Sequence, residues 1–295
     1  MTIQFLRDGT CVEEFSLPVT TNEATQIQNA LNESVLTKER DGLIVTLDLS
    51  RRVPDVIRYW VKEETWANED NTTWMDHPKT PKRFPWGRPP RRGETGGILI
   101  LLESPHRDEV SAELEPLVPA AGSTGRRLES HKDALLYLLT RKLGLTFTDN
   151  QAPVIIGNPL QFPASLRTRP LALKLRDEIW IRAMLRTRFQ RDLFRRLNMY
   201  KPKIIINACT GKLGERSSPK AITRYFIDEY LSRSKTTHIV RTTFSPKSHP
   251  PIETSGVLET AECHVVEVAH PSGWRWNPNE WFPDDGDYSS WLHDR

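Results

Sequence analysis

Cysteine is scarce in this chain. Its three copies, Cys11, Cys209 and Cys263, are odd in number, far apart and without C-x-x-C spacing. This argues against a disulfide framework, a zinc site or an iron-sulfur cluster, and it fits a reducing cytoplasm. Long apolar runs are missing too, since none approaches the roughly 20 residues that span a bilayer. The opening Met1-Thr2-Ile3-Gln4-Phe5-Leu6-Arg7-Asp8 has no apolar segment behind a basic flank, so a cytoplasmic protein without membrane contact is expected. An excess of one charge is also absent. A formal charge of +3 over 295 residues defines no partner, because a mixed surface and a balanced basic stripe give the same sum. No internal repeat, P-loop or G-x-S-x-G turn is evident.

What is present is an alternation of strands and helices. Gly97-Ile98-Leu99-Ile100-Leu101-Leu102-Glu103-Ser104-Pro105-His106 is a continuous apolar run that breaks into polar residues. This is the pattern of a strand buried on both faces of a parallel sheet. Ala152 to Pro159 repeats it, as do Lys203 to Cys209 and His264 to Ala269. Between them lie helical patterns from Leu135 to Leu143, ended by Gly144, from Leu166 to Lys203, and from Pro219 to Leu231. The expectation is an α/β fold: a central, mostly parallel four-stranded sheet with helices on both faces, over residues 96–295. Residues 1–95 are expected to add a small N-terminal α+β extension and a linker. Strand-like runs there are Cys11 to Leu17 and Leu43 to Leu49, with a possible helix from Thr21 to Asn32 and an apolar patch from Val53 to Trp60.

Four segments stand out by composition. Residues 74–97 are dense in Pro, Arg and Lys around Phe84 and Trp86, which suits a solvated linker or an arm lying along phosphates; composition leaves both open. Leu166 to Lys203 holds twelve basic residues against three acidic ones, and is either a solvated helix face or a polyanion-facing surface. Thr243 to Ser255 reads as an exposed loop, and the acidic, aromatic tail after Trp281 is expected to pack back on the domain.

Ligands of open α/β sheets bind beyond the carboxyl ends of strands. Ser104-Pro105-His106, Asn158-Pro159 and His270-Pro271-Ser272 therefore line one crevice. These motifs, in this order and each at a strand end, resemble the uracil-DNA glycosylase superfamily over about residues 96–280. Gly122-Ser123-Thr124-Gly125-Arg126-Arg127-Leu128 is similar to the glycine-rich turn of its four-cysteine branch, although the cysteines are missing. The resemblance implies hydrolysis of an N-glycosidic bond in DNA after a nucleotide is flipped out, leaving an abasic site. It implies His270 as the donor to the departing base, Asn158 on the base edge, and Ser104, Pro105, His106 and Ser272 around the substrate. Gly122, Ser123, Arg126 and Gly273 would hold DNA, and Trp274 or Arg275 would enter the duplex.

The departures bear on the substrate. The uracil branch has Asp before the motif proline and Tyr after it; here Ser104 and His106 stand there. The carboxylate must then come from Glu103, or from Asp108 or Glu109. Where the family stacks a Phe on the base, Ala120 or Ala121 falls here. An enlarged pocket suggests a bulky modified pyrimidine such as glucosylated 5-hydroxymethylcytosine of phage DNA, removed as antiviral defence. Uracil removal in base-excision repair and a non-catalytic reader of modified bases are the alternatives. A small-molecule nucleotide enzyme is a further rival, and an esterase-type mechanism a distant one. No lysine occupies the motifs, so a monofunctional enzyme is expected, monomeric and without metal or cofactor.

Overall fold

The computed structural model describes residues 1–30, 36–39, 42–49, 52–62, 65–68, 90–91, 93–105, 117–120, 122–145, 152–162, 164, 172–211, 218–234, 236, 239–244, 253–255 and 262–274. Residues 69–89, which include most of the basic segment 74–97, lie outside them, as do His106, Asp108, Glu109, Ala121, Arg275 and the acidic tail.

The chain opens with β1 (Thr2–Arg7), β2 (Thr10–Ser16), α1 (Thr21–Ala30), β3 (Leu36–Glu39) and β4 (Gly42–Asp48), whose strands form a sheet in the order β2-β1-β4-β3. Asp8 and Gly9 turn β1 into β2 with φ of 52° and 76°, the left-handed pair that a tight hairpin demands. Ile3, Phe5 and Val45 are fully buried, and Phe5 meets Phe189 of the main body with ring centroids 5.2 Å apart.

The main sheet has eight strands. β5 (Val56–Lys62), β6 (Thr65–Asn68), β7 (Ile98–Leu101), β8 (Ala152–Gly157), β9 (Ile204–Asn207), β10 (Ile239–Phe244), β11 (Glu253–Ser255) and β12 (Cys263–Val268) take the order β11-β10-β12-β9-β7-β8-β5-β6. From β10 through β8 all pairings are parallel, and the four strands expected from their apolar runs are the contiguous set β12-β9-β7-β8. The outer strands carry no such run. β10 reads Ile-Val-Arg-Thr-Thr-Phe, so the segment from Thr243 to Ser255, expected to be loop, begins and ends in strand. Two strands that precede residue 95 also belong to this sheet, because β5 pairs antiparallel with β8.

Side chains alternate across the sheet with period two. Ile98, Ile100, Val154, Ile156, Ile204, Ile206 and Val266 pack under α2 (Ser123–Ser130), α3 (Lys132–Tyr137) and the π-helical turn Leu138–Lys142. Leu99, Leu101, Ile155, Ile205 and Val265 pack against α4 (Ala172–Met184), α5 (Thr187–Tyr200) and α6 (Pro219–Arg233). Both faces are thus covered, as a parallel sheet requires. Gly144, with φ of 61°, ends the first helical stretch. No described helix is long and apolar enough to cross a membrane.

Candidate functional site

At the carboxyl edge, β7 runs out at Leu101, opposite Gly157 on one side and Asn207 on the other. The next inward-facing position after Leu99 and Leu101 is Glu103, which is 4 % exposed. A buried carboxylate is costly unless its oxygens are satisfied, and both are. Oε1 lies 3.1 Å from Arg176 Nε, and Oε2 accepts from the Thr210 hydroxyl. Arg176 donates to Thr210 Oγ1 at 3.2 Å and to Asp177 Oδ1 at 2.7 and 2.9 Å. Two carboxylates therefore share one guanidinium, leaving one net negative charge, with Asp177 the more exposed of the pair. Burial raises the Glu103 carboxyl above its ordinary range, Arg176 and Thr210 oppose the rise, and Asp177 adds to it.

The main chain of Glu103 is equally committed. Its N–H donates to Asn158 Oδ1 at 3.2 Å, and its carbonyl accepts from Trp180 Nε1 at 3.0 Å and Leu160 N at 3.2 Å. The first of these bonds fixes which end of the Asn158 amide is oxygen. Asn158 is 2 % exposed, and its Nδ2 has no partner among the described residues. An unsatisfied buried donor costs about 1–3 kcal/mol, a cost that a ligand bearing an acceptor removes.

Two strands away, β12 ends in the His-Pro-Ser turn. Pro271–Gly273 forms one turn of 3-10 helix, and the His270 side chain caps it. Nδ1 accepts from Ser272 N at 3.2 Å and lies 2.8 Å from Ser272 Oγ. That assigns the imidazole proton to Nε2, which no described residue uses. Burial pushes the ring down to about 3, with the cations Arg176 and Lys220 adding to the effect, so it is neutral at physiological pH. With strands about 4.8 Å apart, two steps across the sheet separate the ends of β12 and β7 by roughly 10 Å, room for a planar base. Lys220 is buried beneath this turn, its Nζ donating to Asn207 O at 3.1 Å and to Val268 O.

The other expected site residues divide. Ser104 is half-buried beside Pro105, which is buried, and Ser272, Ser123 and Arg126 are exposed, with Gly122 half-buried at the start of α2. Trp274 is corrected. It is 2 % exposed, its Nε1 donates to Ala269 O at 2.8 Å, and its ring lies 5.4 Å from His131. It is core beneath the turn, not a side chain that enters a duplex. Ala120 is packed under α2 at 1 % exposure with a left-handed φ of 57°, and so offers no open face. Glu103 closes the sheet edge as expected, with its charge met by hydrogen bonds rather than by water.

Part of the basic run from Leu166 to Lys203 is met by partners within the molecule, while Arg191 and Arg195 on α5 are exposed. Arg176 serves Glu103, Arg182 donates to Ser16 O, Arg186 pairs with Glu13, and Arg196 pairs with Asp55. Arg176 and Thr210 were not singled out as site residues. Thr210 had a signal, because β9 also ends in small and polar residues. Arg176 had none, because its acidic partner is 73 positions away. Among the described residues no His, Cys, Asp and Glu group has the makings of a metal site. No family model matches the chain, and no curated protein matches it.

Proposed function

We propose that this protein is a DNA glycosylase of the uracil-DNA glycosylase type, hydrolysing the bond between C1′ and the base of a flipped-out nucleotide. One observation carries the reading: a buried Asn158 Nδ2 with no partner among the described residues, aimed by the Glu103 N–H, on the same rim as a His270 Nε2–H that no described residue uses. Both are donors on one sheet edge, Asn158 buried and His270 half-buried, the kind of group that stabilises charge developing on a departing base.

The chemistry follows from these groups. As the C1′–N bond breaks, the electron pair moves onto the base, and His270 Nε2–H donates to the base oxygen where it collects. Asn158 Nδ2 donates to a second acceptor on the base edge. The sugar becomes cationic, and the net negative charge shared by Glu103, Arg176 and Asp177 favours it. Water adds to C1′, its proton is lost to solvent, and the abasic site remains. The bulky modified pyrimidine is the favoured substrate, with DNA as the partner, because His106 stands where the uracil branch of the resembled family has the Tyr that excludes groups at C5 of the base.

A second reading, a reader that grips a flipped base without cleaving it, is favoured by the burial of Glu103, both of whose oxygens are engaged. Labelled duplexes carrying one modified base, incubated with wild type and with Glu103→Gln and then cleaved by alkali, separate the two. Abasic-site cleavage by wild type but not by the variant, with equal DNA retention, supports the enzyme; retention without cleavage by either supports the reader.

A further inference from the structure

We infer that Asp55, on the segment just before β5, is the positioning residue for Asn158, which makes the N-terminal region part of the site. The inference rests on the reading of Asn158 as the ligand's donor. Asp55 lies outside the portion of the chain that carries the three rim motifs, yet its carboxylate is 0 % exposed and fully engaged. Oδ1 accepts from Gln161 Nε2 at 2.7 Å and from Arg196 Nη1 at 3.0 Å, and Oδ2 accepts from the same Nη1 and from the Tyr200 hydroxyl, both at 2.8 Å. Arg196 carries the connection onward, its Nη2 donating to Pro159 O at 2.8 Å. A Cβ on Gly157 would stand 2.2 Å from Asp55 Oδ1, so the carboxylate lies directly against the backbone where β8 ends.

The consequence is a loop gripped from two sides. From β7, Glu103 holds the Asn158 side chain through its N–H and Leu160 through its carbonyl. From the N-terminal side, Val53 N donates to Gln161 O at 2.9 Å and Arg52 Nε donates to Gln161 Oε1, while Asp55 fixes Gly157, Pro159 and Gln161 as above. Residues on both sides of Asn158 are pinned. An amide left with an unpaired donor would otherwise gain by turning toward water or another acceptor, and the grip prevents it. This is preorganisation: the desolvation of Nδ2 is carried by the free protein, and the ligand meets a donor already aimed.

The test uses the full chain with Tyr200→Phe, which removes one donor to Asp55 and leaves its pairing with Arg196, and with Asp55→Asn. Side-chain amide signals are followed by 15N-resolved NMR, Asn158 being assigned by its disappearance in Asn158→Asp. Asn207, whose Nδ2 donates to Lys220 O at 3.0 Å on the same edge, is the internal reference. The expected result is that the Asn158 amide shifts or broadens in both variants while Asn207 stays, and that kcat for base release falls about tenfold or more. An Asn158 signal identical to wild type in Tyr200→Phe would overturn the inference, whether or not Asp55→Asn folds. An Asn158 signal that moves in both variants, with no base released even by wild type, supports the positioning and sinks the glycosylase reading instead.

Discussion

Glu103 and Asn158 end neighbouring parallel strands, and the main-chain N–H of the first donates to the side-chain oxygen of the second at 3.2 Å. The bond engages the amide oxygen, so the buried Nδ2 donor is the end left without a partner among the described residues. Asn158→Ala removes that donor and also strips the Glu103 N–H of its acceptor. Base release should fall about 10²- to 10³-fold, as for loss of one preorganised donor, and stability by about 1–3 kcal/mol. Single-turnover release assays and urea denaturation check the two effects separately.

The Glu103 carboxyl gives a pH dependence with a definite sign. Its raised folded pKa means that the native state holds the proton to higher pH than the unfolded chain. The group's contribution to stability is therefore complete below the ordinary value near 4.5 and is lost as pH rises through the folded value. Glu103→Gln removes this loss. Denaturation series from acid to neutral pH should show a flatter profile for the variant. A wild-type stability that does not fall relative to the variant as pH rises from 4.5 contradicts the sign.

His270 behaves oppositely. Its depressed value of about 3 means that the unfolded chain binds a proton first on acidification. The stability it contributes is present above the ordinary value near 6.5 and is lost as pH falls from there through about 3. NMR of the imidazole should show no titration between neutrality and mild acid, and the acid limb of base release should not follow this group. An imidazole that titrates near 6.5 contradicts the depressed value.

Arg176→Lys keeps a charge but loses the planar fork that reaches Glu103, Asp177 and Thr210 together. Base release should drop at least about tenfold, while DNA retention changes little, because this guanidinium serves internal carboxylates and not phosphates. A parallel loss of DNA retention, measured at several salt concentrations, would assign it to phosphate binding instead.

Gly157→Ala should destabilise by about 1–3 kcal/mol or more, since the added methyl meets the Asp55 carboxylate at 2.2 Å and neither the strand nor the buried network has slack. Thermal denaturation reads this directly. Gly122→Ala is the contrast, because a Cβ there meets nothing within 4 Å.

The centre of the sheet was legible because buried parallel strands are written as apolar runs: Ile98 to Leu101, Val154 to Ile156, Ile204 to Ile206 and Val265 to Val268 announce themselves. The outer strands were not, since β10 with Arg241, Thr242 and Thr243 resembles a loop when its partners are unknown. At the site, His270 and Asn158 were visible as polar residues at strand ends. Trp274 was misjudged because its hydrogen bond to Ala269 O and its packing on His131 depend on a turn and on a helix far away in sequence. Part of the basic character of α4 and α5 is balanced in a way the local sequence does not show, for the same reason. Its balancing carboxylates, Glu13, Asp55 and Glu103, are supplied by distant segments.

The most direct test of the account is mass spectrometry of free base released from three DNAs: one containing uracil, one unmodified, and phage DNA carrying glucosylated hydroxymethylcytosine. The account expects release of the bulky base alone, lost in Asn158→Ala. Release of uracil would keep the chemistry and contradict the enlarged pocket, and tight DNA binding with no base released from any of the three would contradict the glycosylase itself.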